Sequence, residues 1–134
     1  MTEQSGATNG FAVLIVDDDP TLRELFGTLL REHGWRVTTA TDGAEAVCSV
    51  GQSRPDLVLM DYEMPVLDGL GAARQIRSLP GPPVPIVMIS SRRDTEIREA
   101  AMAAGIGRYL VKPVSLALLL AVVHEHAATA RRPL

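Results

Sequence analysis

The fold is read first from "FAVLIVDDDPTLRELFGTLL", residues Phe11 to Leu30. From Phe11 to Val16 every residue is apolar and the run is rich in β-formers. That is the pattern of a strand buried on both faces, not one alternating between core and water. Asp17, Asp18 and Asp19 follow at once. Asp19 is suited to cap a helix whose first residue is Pro20, since a carboxylate accepts an orphan N–H and proline has none to lose. Leu22, Leu25, Phe26, Leu29 and Leu30 recur at helical spacing, and Gly34 marks the stop.

Working outward, the alternation repeats. Trp35 to Ala40 reads as a second strand, and Ala44 to Val50 as a short helix after the Asp42–Gly43 turn. Asp56 to Met60 is a buried strand ending at Asp61. A loop containing Pro65 leads to Asp68, the N-cap of a helix that stops before Pro80. Pro85 to Ile89 is the fourth strand, and Asp94 caps a helix with Ile97, Ala100, Ala101 and Ala104 on one face. Arg108 to Val111 is the fifth strand, and Leu116 to about Thr129 the last helix. Five strands alternating with five helices predict a right-handed, doubly wound parallel sheet of α/β class. Leu116 to Val123 are all apolar, so the outer side of that helix is expected to meet a partner.

Composition narrows the function. A chain of 134 residues suits one domain. Aromatics are only 4% against 46% hydrophobic residues, so the core must be built from Leu, Val, Ile and Ala. A net charge of −3 argues against direct nucleic-acid binding. Cys48, the single cysteine, has no internal disulfide partner and is expected to be a buried structural thiol. Met1 to Gly10 lack the apolar core of a signal peptide. The longest apolar run falls far short of the ~20 residues that span a bilayer, so no membrane insertion and a cytoplasmic location are expected.

The chemistry gathers at strand ends. In a parallel sheet of this kind ligands bind beyond the carboxyl ends of the strands. Asp17, Asp18 and Asp19 follow the first strand, Asp61 ends the third, Ser90 the fourth and Lys112 the fifth. Two carboxylates ~4 Å apart repel by about 4 kcal/mol at an effective dielectric of about 20. A hard, oxygen-seeking cation relieves that repulsion, and Mg²⁺ suits one or two carboxylates with positions left for water and phosphate. Lys112 and the Ser90 hydroxyl are then placed to hold other oxygens of a transferring phosphoryl group.

The segments "VLIVDDDPTLR", "PDLVLMDYEMPVLDGL", "IVMISS" and "AAGIGRYLVKPV" resemble, in order and spacing, the successive signatures of bacterial two-component response regulator receiver domains. "MDYEMPVLDGLGAARQIRSLPG" is most similar to receivers of hybrid kinases and phosphorelays. The resemblance implies a flavodoxin-like sheet of order 2-1-3-4-5 over residues 11–130, with a disordered N-terminal tail over 1–10 and a C-terminal tail over 131–134. It implies a phosphoacceptor signalling domain, not an enzyme with a separate substrate. Asp61 accepts the phosphoryl group from a histidine kinase or phosphotransfer protein. Asp18, Asp61 and the Glu63 backbone carbonyl hold Mg²⁺ directly, and Asp17 holds it through water. Ser90 grips the phosphoryl oxygen, Lys112 pairs with it, and the Lys112–Pro113 bond is cis. Tyr109 is the switch aromatic, and Glu63 and Arg92 pair across the acyl phosphate to tune its lifetime. The face of the fourth helix, fifth strand and fifth helix serves a homodimer or an effector.

Two other readings compete. "DDDPTL" also matches the nucleophile motif of haloacid-dehalogenase-like phosphatases, with Asp17 as nucleophile and Asp19 as acid/base. Those enzymes need a further acidic pair after the lysine, where only Glu125 remains, and Asp61 is left without a role. A phosphorylation-independent binding module is weakened by the intact acidic cluster. "GLGAAR" (Gly69 to Arg74) fails as a dinucleotide fingerprint because Arg74 takes a small-residue position, and "HEHAA" lacks the second histidine of a zinc-protease helix.

Overall fold

The structure, a computed structural model, describes residues 10–130. Except for Gly10, the two expected tails lie outside the described residues. The elements run β1 (Ala12–Val16), α1 (Pro20–Glu32), β2 (Arg36–Ala40), α2 (Gly43–Gln52), β3 (Leu57–Asp61), α3 (Gly69–Arg77), β4 (Ile86–Ser90), α4 (Thr95–Ala103), β5 (Arg108–Val111) and α5 (Leu116–Ala130). All neighbouring strands pair in parallel, in the order β2-β1-β3-β4-β5. That is the expected doubly wound sheet, with boundaries shifted by a residue or two. No helix among the described residues is long and apolar enough to cross a membrane.

Local chemistry accounts for the turns. Asp19 accepts Thr21 N–H with Pro20 opening α1, and Asp68 accepts Gly71 N–H at the start of α3. Gly34 closes α1 with φ +90°, a conformation costly for any residue bearing a Cβ. Asp94 stands at the N-cap of α4 but makes no side-chain cap bond, because Arg92 holds its carboxylate.

The two-residue period of the strands divides the core. Leu14, Val16, Val58, Met60, Ile86 and Met88 pack under α2, α3 and α4. Val13, Ile15, Leu57, Leu59, Val87 and Ile89 pack under α1 and α5. Both layers are sealed: all five residues of β3 and of β4 are buried. Truncating a fully buried leucine such as Leu59 to alanine costs about 2–5 kcal/mol.

Cys48 departs from expectation: it is exposed. Gly43, Ala46 and Val50 form the buried stripe of α2, three or four residues apart. Cys48 lies two residues from both Ala46 and Val50, on the opposite side of the helix.

Candidate functional site

The side-chain alternation that divides the core also aims the polar residues. Asp17 shares the parity of Val13 and Ile15, Asp61 that of Leu57 and Leu59, and Lys112 that of Leu110, all on the α1/α5 side. Ser90 and Tyr109 share the parity of the α4 side. The ladders continue past the strands: Asp17 N–H donates to Ala40 O, Tyr62 N–H to Ile89 O, and Lys112 N–H to Ser90 O. Val16 faces Met60, so one further step places Asp17 beside Asp61.

The result is a compact acidic cluster. One carboxylate oxygen each from Asp17, Asp18 and Asp61 lie within 4.8 Å of one another. Asp17 and Asp61 are buried at 5% and 3% exposure, while Asp18 is open to solvent. Lys112 Nζ stands 3.0 Å from Asp61 Oδ1, and the Lys112–Pro113 peptide is cis. The β1–α1 turn is tied down by Asp19 N–H on Asp17 Oδ1 (2.9 Å) and by Arg23 Nη1 on the Asp17 carbonyl (2.7 Å). Gly69 closes over Asp61 from the β3–α3 loop: its N–H donates to Tyr62 O, and a Cβ there would sit 2.6 Å from Asp61 O.

Burial and like charge make this cluster reluctant to ionise. Desolvation pushes the Asp61 carboxyl from its ordinary 3.8 up to about 6; the Lys112 ammonium pulls it down, and Asp17 and Asp18 push it further up. Asp17 is raised for the same first reason, partly offset by the Asp19 N–H and by Lys112. Burial alone would lower Lys112, but the carboxylates of Asp61, Asp17 and Glu63 outweigh it and leave its pKa raised. Asp61 Oδ1 has an ionic neighbour in Lys112 yet accepts no well-formed hydrogen bond, although it is buried. Three clustered carboxylates beside the Lys112 ammonium form an all-oxygen donor set with excess negative charge, which fits a hard divalent cation such as Mg²⁺.

The remaining predicted residues separate into two groups. Ser90 Oγ, fully buried, accepts Arg92 N–H at 2.9 Å, and Tyr109 Oη donates to the carbonyl of the same Arg92 at 2.8 Å. The Arg98 guanidinium lies 5.1 Å from the Tyr109 ring centroid. Glu63 and Arg92, expected to pair with one another, take other partners. Arg92 binds Asp94 at 3.0 Å, and Glu63 accepts from Ser91 Oγ at 3.0 Å. Asp94 needs no loop closure to reach Arg92, being two residues away. Ser91 and Arg98 join the site without a sequence signal: nothing in their local sequence distinguishes them from solvated surface residues.

Residues 13–124 match the family model described as the response regulator receiver domain. The transcriptional regulatory protein PrrA of Mycobacterium tuberculosis is 42% identical over 111 residues, which are 83% of this chain and 47% of that protein. The chain spans about half the length of the curated relatives it matches. Among solved structures, the receiver domain of sensor histidine kinase PA1611 from Pseudomonas aeruginosa PAO1 has a TM-score of 0.80 at 37% identity. It covers 89% of this chain and 98% of that one, and it was solved with a magnesium ion coordinated in the active site cleft. The receiver domain of Ssk1 from Saccharomyces cerevisiae, in co-crystal with the histidine phosphotransfer signaling protein Ypd1, gives a TM-score of 0.84. Its identity is 30%, with 92% of each chain covered.

Proposed function

The chain belongs to the response regulator receiver domain family of two-component phosphorelays, and on that premise we propose that Asp61 is its phosphoacceptor. The observation that carries the assignment is the convergence at Asp61 of two further carboxylates within 4.8 Å and the Lys112 ammonium at 3.0 Å. The donor is a phosphohistidine on a histidine kinase or phosphotransfer protein. One Asp61 carboxylate oxygen bonds to phosphorus as the donor's phosphorus–nitrogen bond breaks. The departing imidazole keeps the bonding pair and takes a proton.

Asp18, Asp61 and the Glu63 carbonyl would hold Mg²⁺, with Asp17 acting through water, and the ion would supply counter-charge for the phosphoryl oxygens. Lys112 neutralises another phosphoryl oxygen, and the Ser90 hydroxyl turns to a third. That turn releases Arg92 N–H, while the carbonyl of the same residue accepts from Tyr109 Oη, so the Arg92 backbone links phosphorylation to the switch aromatic. Tyr109, in β5, lines a recess with Arg98 and Met102 of α4, and Met102 is 74% exposed; on α5, Leu118 is 40% exposed and shares the helix face of Glu125, which pairs with Arg108 of β5. We assign this face to a homodimer or an effector. We assign the domain to the cytoplasm, where ATP is available to a phosphodonor kinase. The product is a modified Asp61, so the chain acts as a signalling domain and turns over no separate substrate. The phosphatase reading is disfavoured because Asp19, its acid/base, is committed to capping Thr21.

Acetyl phosphate with Mg²⁺, followed by intact-mass measurement, tests the assignment. One phosphoryl group should add to the wild type, and Asp61→Asn or EDTA should abolish it. Label retained on Asp61→Asn would refute the acceptor, and steady phosphate release requiring Asp17 would favour the phosphatase.

A further inference from the structure

Two loops leave the sheet on either side of the phosphoryl position. One follows β3 and carries Glu63; the other follows β4 and carries Ser91. They are joined side chain to side chain, with Ser91 Oγ 3.0 Å from Glu63 Oε2 and 3.3 Å from Oε1. β3 and β4 are neighbours in register, so this bond crosses the gap between the exits of Asp61 and Ser90. Below it Asp61 and Ser90 are almost sealed, at 3% and 0% exposure, while Glu63 and Ser91 face solvent. Arg92 is turned aside to Asp94, so the link across the cleft mouth is the hydroxyl–carboxylate bond.

We propose that Ser91 and Glu63 form a clasp over the phosphoryl cleft, and that Ser91 is a positioning residue that prolongs the life of the acyl phosphate. This rests on Asp61 being the acceptor. In hydrolysis a water oxygen bonds to phosphorus in line with the Asp61–phosphorus bond, which breaks. Its electron pair returns to the carboxylate, and inorganic phosphate leaves with the oxygen and one proton of that water, the other proton passing to solvent. In-line attack must arrive from the side facing away from Asp61, which is the outer side spanned by the clasp. While the hydroxyl holds Glu63, the two loops stay together and water reaches that side less often. Ser91 touches no reacting atom; it acts through Glu63.

Wild type phosphorylated by acetyl phosphate with Mg²⁺ is freed of donor, and its decay is followed by intact mass. Ser91→Ala should shorten the half-life roughly three- to ten-fold, the bias of one exposed hydrogen bond to a carboxylate. Glu63→Ala should do the same, and the double variant should decay no faster than the faster single one, because all three lack the same bond. Ser91→Thr keeps the hydroxyl and should restore the wild-type half-life, which general loosening of the loop would not do. An unchanged half-life in Ser91→Ala, multiplied effects in the double variant, or Ser91→Thr decaying like Ser91→Ala would each overturn the clasp alone. Failure of the wild type to take up any label would overturn the acceptor assignment and the clasp with it.

Discussion

Replacing Asp61 with Asn should stabilise the metal-free protein, although it removes the central functional carboxylate and the partner of Lys112. Lifting a carboxyl from 3.8 to about 6 means that folding disfavours its ionised form by about 3 kcal/mol. Water reaching the cluster at the exposed Asp18 screens it, which discounts the expected gain to about 1–2 kcal/mol, or roughly 4–8 °C in Tm. Because the folded pKa is raised, the native state binds more protons than the unfolded state between pH ~4 and ~6. Wild-type stability is therefore lost as pH rises through that window, whereas the variant lacks the Asp61 titration and loses only what the raised Asp17, common to both proteins, contributes. The advantage of Asp61→Asn should be near zero at pH 4 and complete above pH ~6. Saturating Mg²⁺ should reverse the order, since a ligand at about 100 times its Kd adds about 2.7 kcal/mol to the protein that binds it. Urea denaturation in EDTA, followed by the fluorescence of Trp35, the single and buried tryptophan, measures all of this. An Asp61→Asn protein no more stable than wild type at pH 7.5 without metal, or equally favoured at pH 4, would refute the account of the cluster.

Two further outcomes follow from other parts of the molecule. Val66 is 82% exposed with φ +72°, and Leu67 N–H closes a tight turn on Pro65 O around it. A β-branched residue is strained there, so Val66→Gly should raise stability in urea by about 1 kcal/mol. Leu118→Glu, on the outer side of α5, should leave the monomer's fold intact and abolish phosphorylation-dependent dimerisation in sedimentation; a wild type monomeric in both states would exclude the homodimer and leave an effector for that face.

The order of the elements and the identity of the polar residues at the strand ends were legible in the chain itself. Continuous apolar runs, caps such as Asp19 and Asp68, and the stop at Gly34 are local signals, each complete within a few residues. Asp17, Asp18, Asp61, Ser90 and Lys112 could be singled out because each stands where a strand must end. Which of several equally suitable partners meet was settled by the assembled sheet. Strand register set Asp17 beside Asp61, and side-chain parity put the carboxylates on the α1/α5 side and Ser90 with Tyr109 on the other. Helix phase, not the apolar character of its neighbours, turned Cys48 outward. Arg92 had two carboxylates of similar chemistry available and took Asp94, leaving Glu63 to Ser91. Composition and spacing cannot rank such choices, because an ion pair or hydrogen bond depends on separations of a few ångströms that exist only once the sheet has brought distant segments together.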